Sequence, residues 1–347
     1  MENSKVLLDV KDLKIYYPIK YKAKGSFFRK KGFVKAVDGI SFQVHEGETF
    51  GIVGESGCGK STTGHAIVRL LKPYSGSIRF EGRDIFAKED GADKKEWAKK
   101  IEIIFQDPYS SLDPRFTVGR CIEEPLKVHG MGSAKERKEK VLSLMHDVGL
   151  APENYTKFPH EFSGGQRQRI GVARALTLNP SIIVCDEPVS ALDVSIQAQI
   201  LNLMQDLQKK YHLSYIFISH NLSVVNHICD RIAVMYLGHI VELAEKDELF
   251  DNPKHPYTQA LLDVIPIPDP KRKSLTRVLE GDVPSQINPP SGCCFHTRCP
   301  SACERCKREA PASTEISPGH FVACHLYDGK GGMGPALREN KEKEPEV

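Results

Sequence analysis

No stretch of this sequence stays apolar for long. The longest unbroken apolar run, Ile232 to Leu237, is six residues, whereas a helix that spans a bilayer needs about 20, so a membrane span is excluded. No charge of one sign dominates either. The 48 Lys and Arg against 45 Asp and Glu leave a formal net charge of +3, which argues neither for nor against a nucleic-acid partner. One local run is basic: Lys20, Lys22, Lys24, Arg29, Lys30, Lys31 and Lys35, with Phe27 and Phe28 inside it. It reads first as a solvated loop and second as a patch for a membrane surface or a nucleic acid. Met1-Glu2-Asn3-Ser4-Lys5 is polar and runs straight into a strand-like stretch, so no signal peptide is expected. There is no internal repeat. The expected compartment is the cytosol, where the ten cysteines read as thiols or metal ligands and not as disulfides.

What the sequence does hold is 347 residues, 40% hydrophobic and 27% charged, enough for two domains and a sizeable core. Residues 6–17, 34–53, Ser77–Phe80, Ile101–Phe105, Ser181–Cys185, Tyr215–Ile218 and Ile232–Tyr236 read as strands. Thr63–Leu71, Gln166–Thr177 and Ser195–Lys210 read as helices, the last with Ile196, Ile200, Leu203 and Leu207 on one face. This alternation predicts an α/β fold around a mainly parallel, doubly wound sheet. Residues of about 107–172 look like an all-helical insertion. Prolines crowd in after residue 251, as in a linker, and lead to six cysteines, Cys293, Cys294, Cys299, Cys303, Cys306 and Cys324. The expected boundaries are 1–250, 251–328 and a disordered tail, 329–347.

The most informative segment is Gly54-Glu55-Ser56-Gly57-Cys58-Gly59-Lys60-Ser61-Thr62. It matches G-x-x-x-x-G-K-[ST] and lies between an apolar strand, Thr49–Val53, and a helix, the context in which that pattern cradles phosphates. Its glycines let backbone N–H groups close round a polyphosphate at the positive end of a helix. Lys60 is expected on the β- and γ-phosphates and the Ser61 hydroxyl on Mg²⁺. Ile182–Glu187 is an apolar strand ending in two carboxylates, Asp186 to orient Mg²⁺ through its water shell and Glu187 to polarise the attacking water. Ser163-Gly164-Gly165-Gln166 opens a helix and forms a second anion-binding terminus. Two such termini in one chain suggest a head-to-tail dimer holding each nucleotide between its subunits.

This ordered set resembles the ATPase subunit of ABC transporters over about residues 6–250. The resemblance implies a RecA-like P-loop NTPase core with a β-subdomain and a helical subdomain, and ATP with Mg²⁺ as ligands. Gly54–Thr62 matches the Walker A motif, Ile182–Glu187 the Walker B motif and Ser163–Gln166 the family signature, with Phe162 where leucine is commonest. Gln106 matches the glutamine that contacts Mg²⁺ and the attacking water. Ser190-Ala191-Leu192-Asp193 matches the D-loop, and His220 the switch histidine that contacts the γ-phosphate. Tyr17 sits where the family stacks an aromatic on adenine, with Tyr16 as its rival. No catalytic position is degenerate, so an active hydrolysing site is expected.

Val34–Phe42, Gln106–Arg115 and Leu279–Ser285 are similar to the oligopeptide/dipeptide importer ATPases, most of all to the OppF/DppF type of subunit. That resemblance implies a peripheral protein on the cytoplasmic face of the membrane. It implies pairing with a related but distinct ATPase beneath two permease chains fed by an extracytoplasmic peptide-binding protein, and no nucleic-acid partner. Asp107–Arg115 lies where a permease coupling helix docks in this family. The spacing of Cys293, Cys299, Cys306 and Cys324 is the one this group shows, and the resemblance implies a [4Fe–4S] cluster of structural role. Spacing alone leaves Zn²⁺ open, because Cys303 and Cys306 form a zinc-like pair and His296, His320 and His325 are at hand. Cargo stays open too: peptides first, nickel chelates or another small solute as the alternative. The rival classes are a non-transport ABC ATPase and a metal-cluster regulator with a vestigial ATPase.

Overall fold

The structure is a computed structural model that describes residues 5–22, 29–87, 91–264 and 281–329. The centre of the basic run (23–28), part of the proline-rich stretch (265–280) and the tail beyond 329 lie outside the described residues.

Two sheets organise the chain. The first is antiparallel, in the order β2-β1-β4-β5, from β1 (Val6–Lys22), β2 (Arg29–His45), β4 (Ser75–Phe80) and β5 (Arg83–Asp84). Its inward residues Leu8, Val10, Leu13, Ile15, Val37, Ile40, Phe42 and Val44 are buried. The second sheet has eight strands in the order β11-β12-β10-β9-β3-β8-β7-β6. Its parallel core is β9 (Arg231–Tyr236), β3 (Thr49–Val53), β8 (Ser214–Ser219), β7 (Ile182–Asp186) and β6 (Ile101–Ile104). Its antiparallel flank is β10 (His239–Glu245), β12 (His320–Val322) and β11 (Thr314–Ser317).

The parallel strands read as continuous apolar runs because both of their faces are covered. Alternate residues feed opposite cores. Ile183, Cys185, Tyr215, Phe217, Ile232 and Val234 face the helical side. Ile182, Val184, Ile216, Ile218, Ala233 and Met235 face the antiparallel sheet. Helices α1 (Lys60–Ile67), α2 (Gly91–Lys100), α6 (Val194–Tyr211) and α7 (Leu222–Ile228) flank these strands, and α8 (Lys246–Asp251), α9 (Pro256–Asp263) and α10 (Glu304–Arg308) belong to the C-terminal part.

Between β6 and β7 the chain is helical: α3 (Val118–Val128), α4 (Ala134–Asp147) and α5 (Gly164–Leu176). Local chemistry sets where these helices start. Thr117 caps α3 by accepting from Arg120 N. Ser133 and Glu136 form a reciprocal capping box on α4, and Ser163 and Gln166 do the same on α5.

Three details differ from the sequence reading. The stretch 34–53 is two strands, split by a turn at Glu46–Glu48 in which Gly47 takes φ 76°. Helix α1 begins at Lys60 rather than Thr63. The sheet is mainly parallel only across its five core strands. The antiparallel flank brings residues 314–322 onto the main sheet through β10. Glu242 on β10 fixes that flank: fully buried, it accepts from Lys254 N (2.7 Å), His255 N (2.9 Å) and His320 Nε2 (2.8 Å). A buried carboxylate persists only with such partners, and its hydrogen bond holds the His320 imidazole above its ordinary pKa.

Candidate functional site

At the carboxyl ends of β3, β7 and β8 lies a cleft of about 540 Å³ lined by Tyr17, Val34, Ala36, Ser56, Gly57, Gly59, Lys60, Ser61, Thr62, Gln106, Glu187, His220 and Gln286. Ligands of open α/β sheets bind at such strand ends.

The loop Gly54–Thr62 has the backbone its sequence calls for. Gly54, Gly57 and Gly59 take φ values of 151°, 79° and 108°. A Cβ on Gly54 would stand 2.2 Å from the Met235 carbonyl oxygen, and one on Gly59 would stand 2.2 Å from that of Ala36. The buried Lys60 ammonium folds back over the loop, donating to the carbonyls of Gly54 (2.8 Å) and Glu55 (3.0 Å). Cys58 lies beneath, its Sγ 3.9 Å from Lys60 Nζ.

Oxygen donors for a hard divalent cation stand next to this loop. The Ser61 hydroxyl donates to Asp186 Oδ1 at 2.8 Å, and His65 Nε2 is 3.5 Å from Oδ2. Burial raises the Asp186 carboxyl above its ordinary pKa, against the pull of Ser61. A hydroxyl and a carboxylate in contact, with room for water, suit Mg²⁺.

Glu187 follows at the end of β7 with φ 47°, a left-handed backbone that costs a non-glycine residue energy and persists where surrounding structure enforces it. Its amide donates to the Ile218 carbonyl at 3.0 Å. Two groups converge on one carboxylate oxygen: Gln106 Nε2 donates to Glu187 Oε2 at 3.0 Å, and His220 Nδ1 lies 3.0 Å from the same atom.

Tyr17 lines the cleft, 38% exposed. Tyr16 is committed elsewhere: its hydroxyl donates to Asp38 Oδ1 and its ring stacks on Tyr74 with centroids 4.7 Å apart. Ser163, Gly164 and Gln166 are exposed and, with Gly165 and Asp193, do not line this cleft. The Gln166 side chain accepts from Ser163 N at 3.1 Å. A Cβ on Gly165 would stand 2.5 Å from Ile196 Cγ2, so the start of α6, next to Asp193, packs directly on this turn.

Sequence reasoning missed the C-terminal contacts to the loop. Gln286 enters the cleft, and Arg298 and the Tyr257 hydroxyl both meet Glu55. No motif or periodicity marks them.

The cysteines are all free thiols. Cys293 N donates to the Cys306 carbonyl at 2.8 Å, and Cys303 Sγ is 3.5 Å from Cys306 Sγ. Burial, and then the nearby thiols Cys293 and Cys306, push Cys299 up to about 11; burial and then Cys293, Cys299 and Cys306 push Cys324 up to about 12. Among the described residues no three Cys, His, Asp or Glu stand in a geometry that would hold a metal ion.

Residues 37–190 match the family model "ABC transporter", and residues 241–306 match "Oligopeptide/dipeptide transporter, C-terminal region". The chain is 56% identical to the oligopeptide transport ATP-binding protein AppF of Bacillus subtilis (strain 168), over 94% of this chain and 98% of that one. It is 51% identical to the oligopeptide transport ATP-binding protein OppF of Salmonella typhimurium (strain LT2), again over 94% and 98%. Among solved structures it is similar to the dimeric, post-hydrolysis ATP-binding cassette MJ0796 bound to ADP and Pi, with TM-score 0.60, 27% identity and coverage of 69% of this chain and 99% of that one. It is also similar to cbiO1 from Clostridium perfringens, part of an ABC transporter complex, with TM-score 0.60, 26% identity and coverage of 71% and 91%.

Proposed function

The chain belongs to the ATP-binding proteins of ABC transporters, in the oligopeptide-transport group, and from that premise we propose that it hydrolyses ATP to power peptide import. The observation that carries this reading is the convergence of Gln106 and His220 on Glu187 Oε2 beside the glycine-rich loop. In the mechanism, the amides of the loop and the Lys60 ammonium receive the triphosphate. For this, Lys60 exchanges the Gly54 and Glu55 carbonyls for phosphate oxygens. Ser61 and Asp186 hold Mg²⁺, which supplies charge neutralisation when bound. Glu187 orients the attacking water as general base, His220 and Gln106 hold that carboxylate in place, and Tyr17 stacks on the base.

The signature turn Ser163–Gln166 and Asp193 act on the nucleotide of a partner. Ser163, Gly164, Gln166 and Asp193 are exposed, and none of them lines this chain's own cleft. The partner is a second, related ATPase, and the pair sits on the cytoplasmic face beneath two permease chains fed by a peptide-binding protein. No described helix is long and apolar enough to cross a membrane; the peripheral attachment proposed here rests on the transporter group the chain belongs to.

We infer that Cys293, Cys299, Cys306 and Cys324 serve a [4Fe–4S] cluster, with Zn²⁺ as the alternative. Four free thiols within one small segment, Cys293 and Cys324 buried and Cys299 and Cys306 half-buried, are soft donors that suit either. They do not stand in ligating geometry here, and no step of hydrolysis is drawn through them.

The test is reconstitution. The full chain, co-expressed with its neighbouring genes, should purify from membranes with two hydrophobic chains and drive ATP-dependent peptide uptake into vesicles. A complex that hydrolyses ATP without moving peptide would overturn the cargo; a chain that never associates with membrane partners would overturn the role. Metal and sulfide analysis of anaerobically purified protein decides the cysteine centre.

A further inference from the structure

The loop that receives phosphate is held from outside by the C-terminal part of the chain. Among the described residues beyond Asp251, Gln286 alone lines the nucleotide cleft. Its Nε2 donates to the Gly57 carbonyl at 2.6 Å, and its backbone carbonyl accepts from Lys35 N at 3.2 Å. Gln286 therefore ties the glycine-rich loop to β2, the two walls of the cleft. Glu55 is held as well. Arg298, 6% exposed, grips both of its carboxylate oxygens, NH1 to Oε2 at 2.9 Å and NH2 to Oε1 at 3.2 Å. The Tyr257 hydroxyl accepts from Glu55 N at 3.0 Å. Phe295, fully buried against Tyr236 and Tyr257 at centroid distances of 5.2 and 5.4 Å, anchors the segment that carries Arg298.

Two physical consequences follow. Gly57 lies in the left-handed region, and a Cβ there would meet nothing within 4 Å among the described residues. Left to itself, such a loop pays ordering entropy when it closes on a ligand, and an external tie removes part of that cost. In addition, Glu55 puts a carboxylate in a loop that must accept a polyanion. A bidentate guanidinium neutralises it; without Arg298 that charge would repel the phosphates.

We propose that Gln286 and Arg298 are positioning residues of the nucleotide site: the C-terminal segment holds the loop Gly54–Thr62 ready for phosphate and sets the affinity for ATP. This rests on the cleft's being the ATP site.

The experiment is calorimetric titration of the full chain with Mg²⁺-ATP, together with KM and kcat of the assembled transporter. Gln286→Ala should weaken ATP binding about five-fold, the loss of one hydrogen bond. Gln286→Glu, of the same size but unable to donate to Gly57, should lose at least as much. Arg298→Ala should weaken binding about ten-fold or more. Adding Glu55→Gln to Arg298→Ala should restore most of the loss, a rescue that a merely structural Arg298 would not give. In each case KM should rise while kcat stays within about two-fold, because uniform binding is what is removed. Unchanged affinity in both Gln286 variants, or no rescue by Glu55→Gln, would overturn the proposal. Failure of the unaltered protein to bind ATP would instead sink the reading of the cleft.

Discussion

His220 Nδ1 stands 3.0 Å from Glu187 Oε2, joining the end of β8 to the end of β7. At that distance the imidazole nitrogen is the donor and the carboxylate the acceptor, which fixes the ring tautomer with its proton on Nδ1. The contact aims the carboxylate, which is what the base role proposed for Glu187 requires.

Replacing Glu187 by Gln keeps the shape of the side chain and removes the carboxylate proposed as the base. The variant should bind ATP as tightly as the parent and still close into the dimer, while turnover of the assembled transporter falls by about 10²-fold or more. Steady-state phosphate release beside equilibrium ATP binding checks this. Full turnover in Glu187→Gln would mean that another group positions the water.

Gly59 and Gly57 are both left-handed, with φ values of 108° and 79°, but their surroundings differ. Gly59→Ala would put a Cβ 2.2 Å from the Ala36 carbonyl oxygen, whereas Gly57→Ala would meet nothing within 4 Å among the described residues. Gly59→Ala should therefore abolish ATP binding and lower stability by about 2 kcal/mol or more. Gly57→Ala should cost only about 1 kcal/mol of backbone strain. Thermal melts with and without Mg²⁺-ATP separate the two. Equal effects would mean that conformation alone decides, and that the contact with Ala36 does not matter.

This contrast shows how far the sequence could be read. Lys60, Ser61, Asp186 and Glu187 were marked by motifs that follow or end apolar strands, and Gln106 and His220 by their place in the family's motif series; the parallel sheet brings those strand ends together. The ties at Gln286 and Arg298 were not, since they join residues 229 and 243 positions apart without any local pattern. Helix α2 was missed because it is polar almost throughout. Its Trp97 is buried edge-on against Phe80, with centroids 5.8 Å apart, and tertiary packing rather than periodicity holds it. The outer strands of the antiparallel flank were missed because β12 is three residues and β11 is four. Their pairing depends on the buried Glu242–His320 contact, which no spacing announces.

Glu102, on β6, supplies a pH test. Burial pushes its carboxyl from 4.5 up to about 7, against the charge of Arg174. A carboxyl with a raised folded pKa leaves the folded chain holding more protons than the unfolded one between those two values, so stability is lost progressively as pH rises from about 4.5 to about 7 and stays lost above that. Glu102→Gln should melt level with the parent near pH 4, below both the unfolded and the folded value, and a few degrees higher at pH 8 (roughly 2–4 °C). A gap between variant and parent that does not change with pH would contradict the burial of this carboxyl.

Ser163 tests whether the nucleotide is shared between subunits. Its hydroxyl accepts from Gln166 N at 3.4 Å at the head of α5, and the residue is exposed, away from its own chain's cleft. Ser163→Ala loses the cap, which costs about 1 kcal/mol of stability. ATP binding by the isolated full chain should stay within about two-fold, because no group in its own cleft has changed. If the turn serves the partner as proposed, the partner's nucleotide in the assembled pair would lose a hydroxyl and a well-ordered helix start, and hydrolysis should fall at least about ten-fold. Measuring both quantities on one preparation separates the outcomes: a loss confined to the assembly places the turn across the interface. If the affinity of the isolated chain falls in step with hydrolysis, Ser163 serves its own subunit, and the head-to-tail arrangement fails.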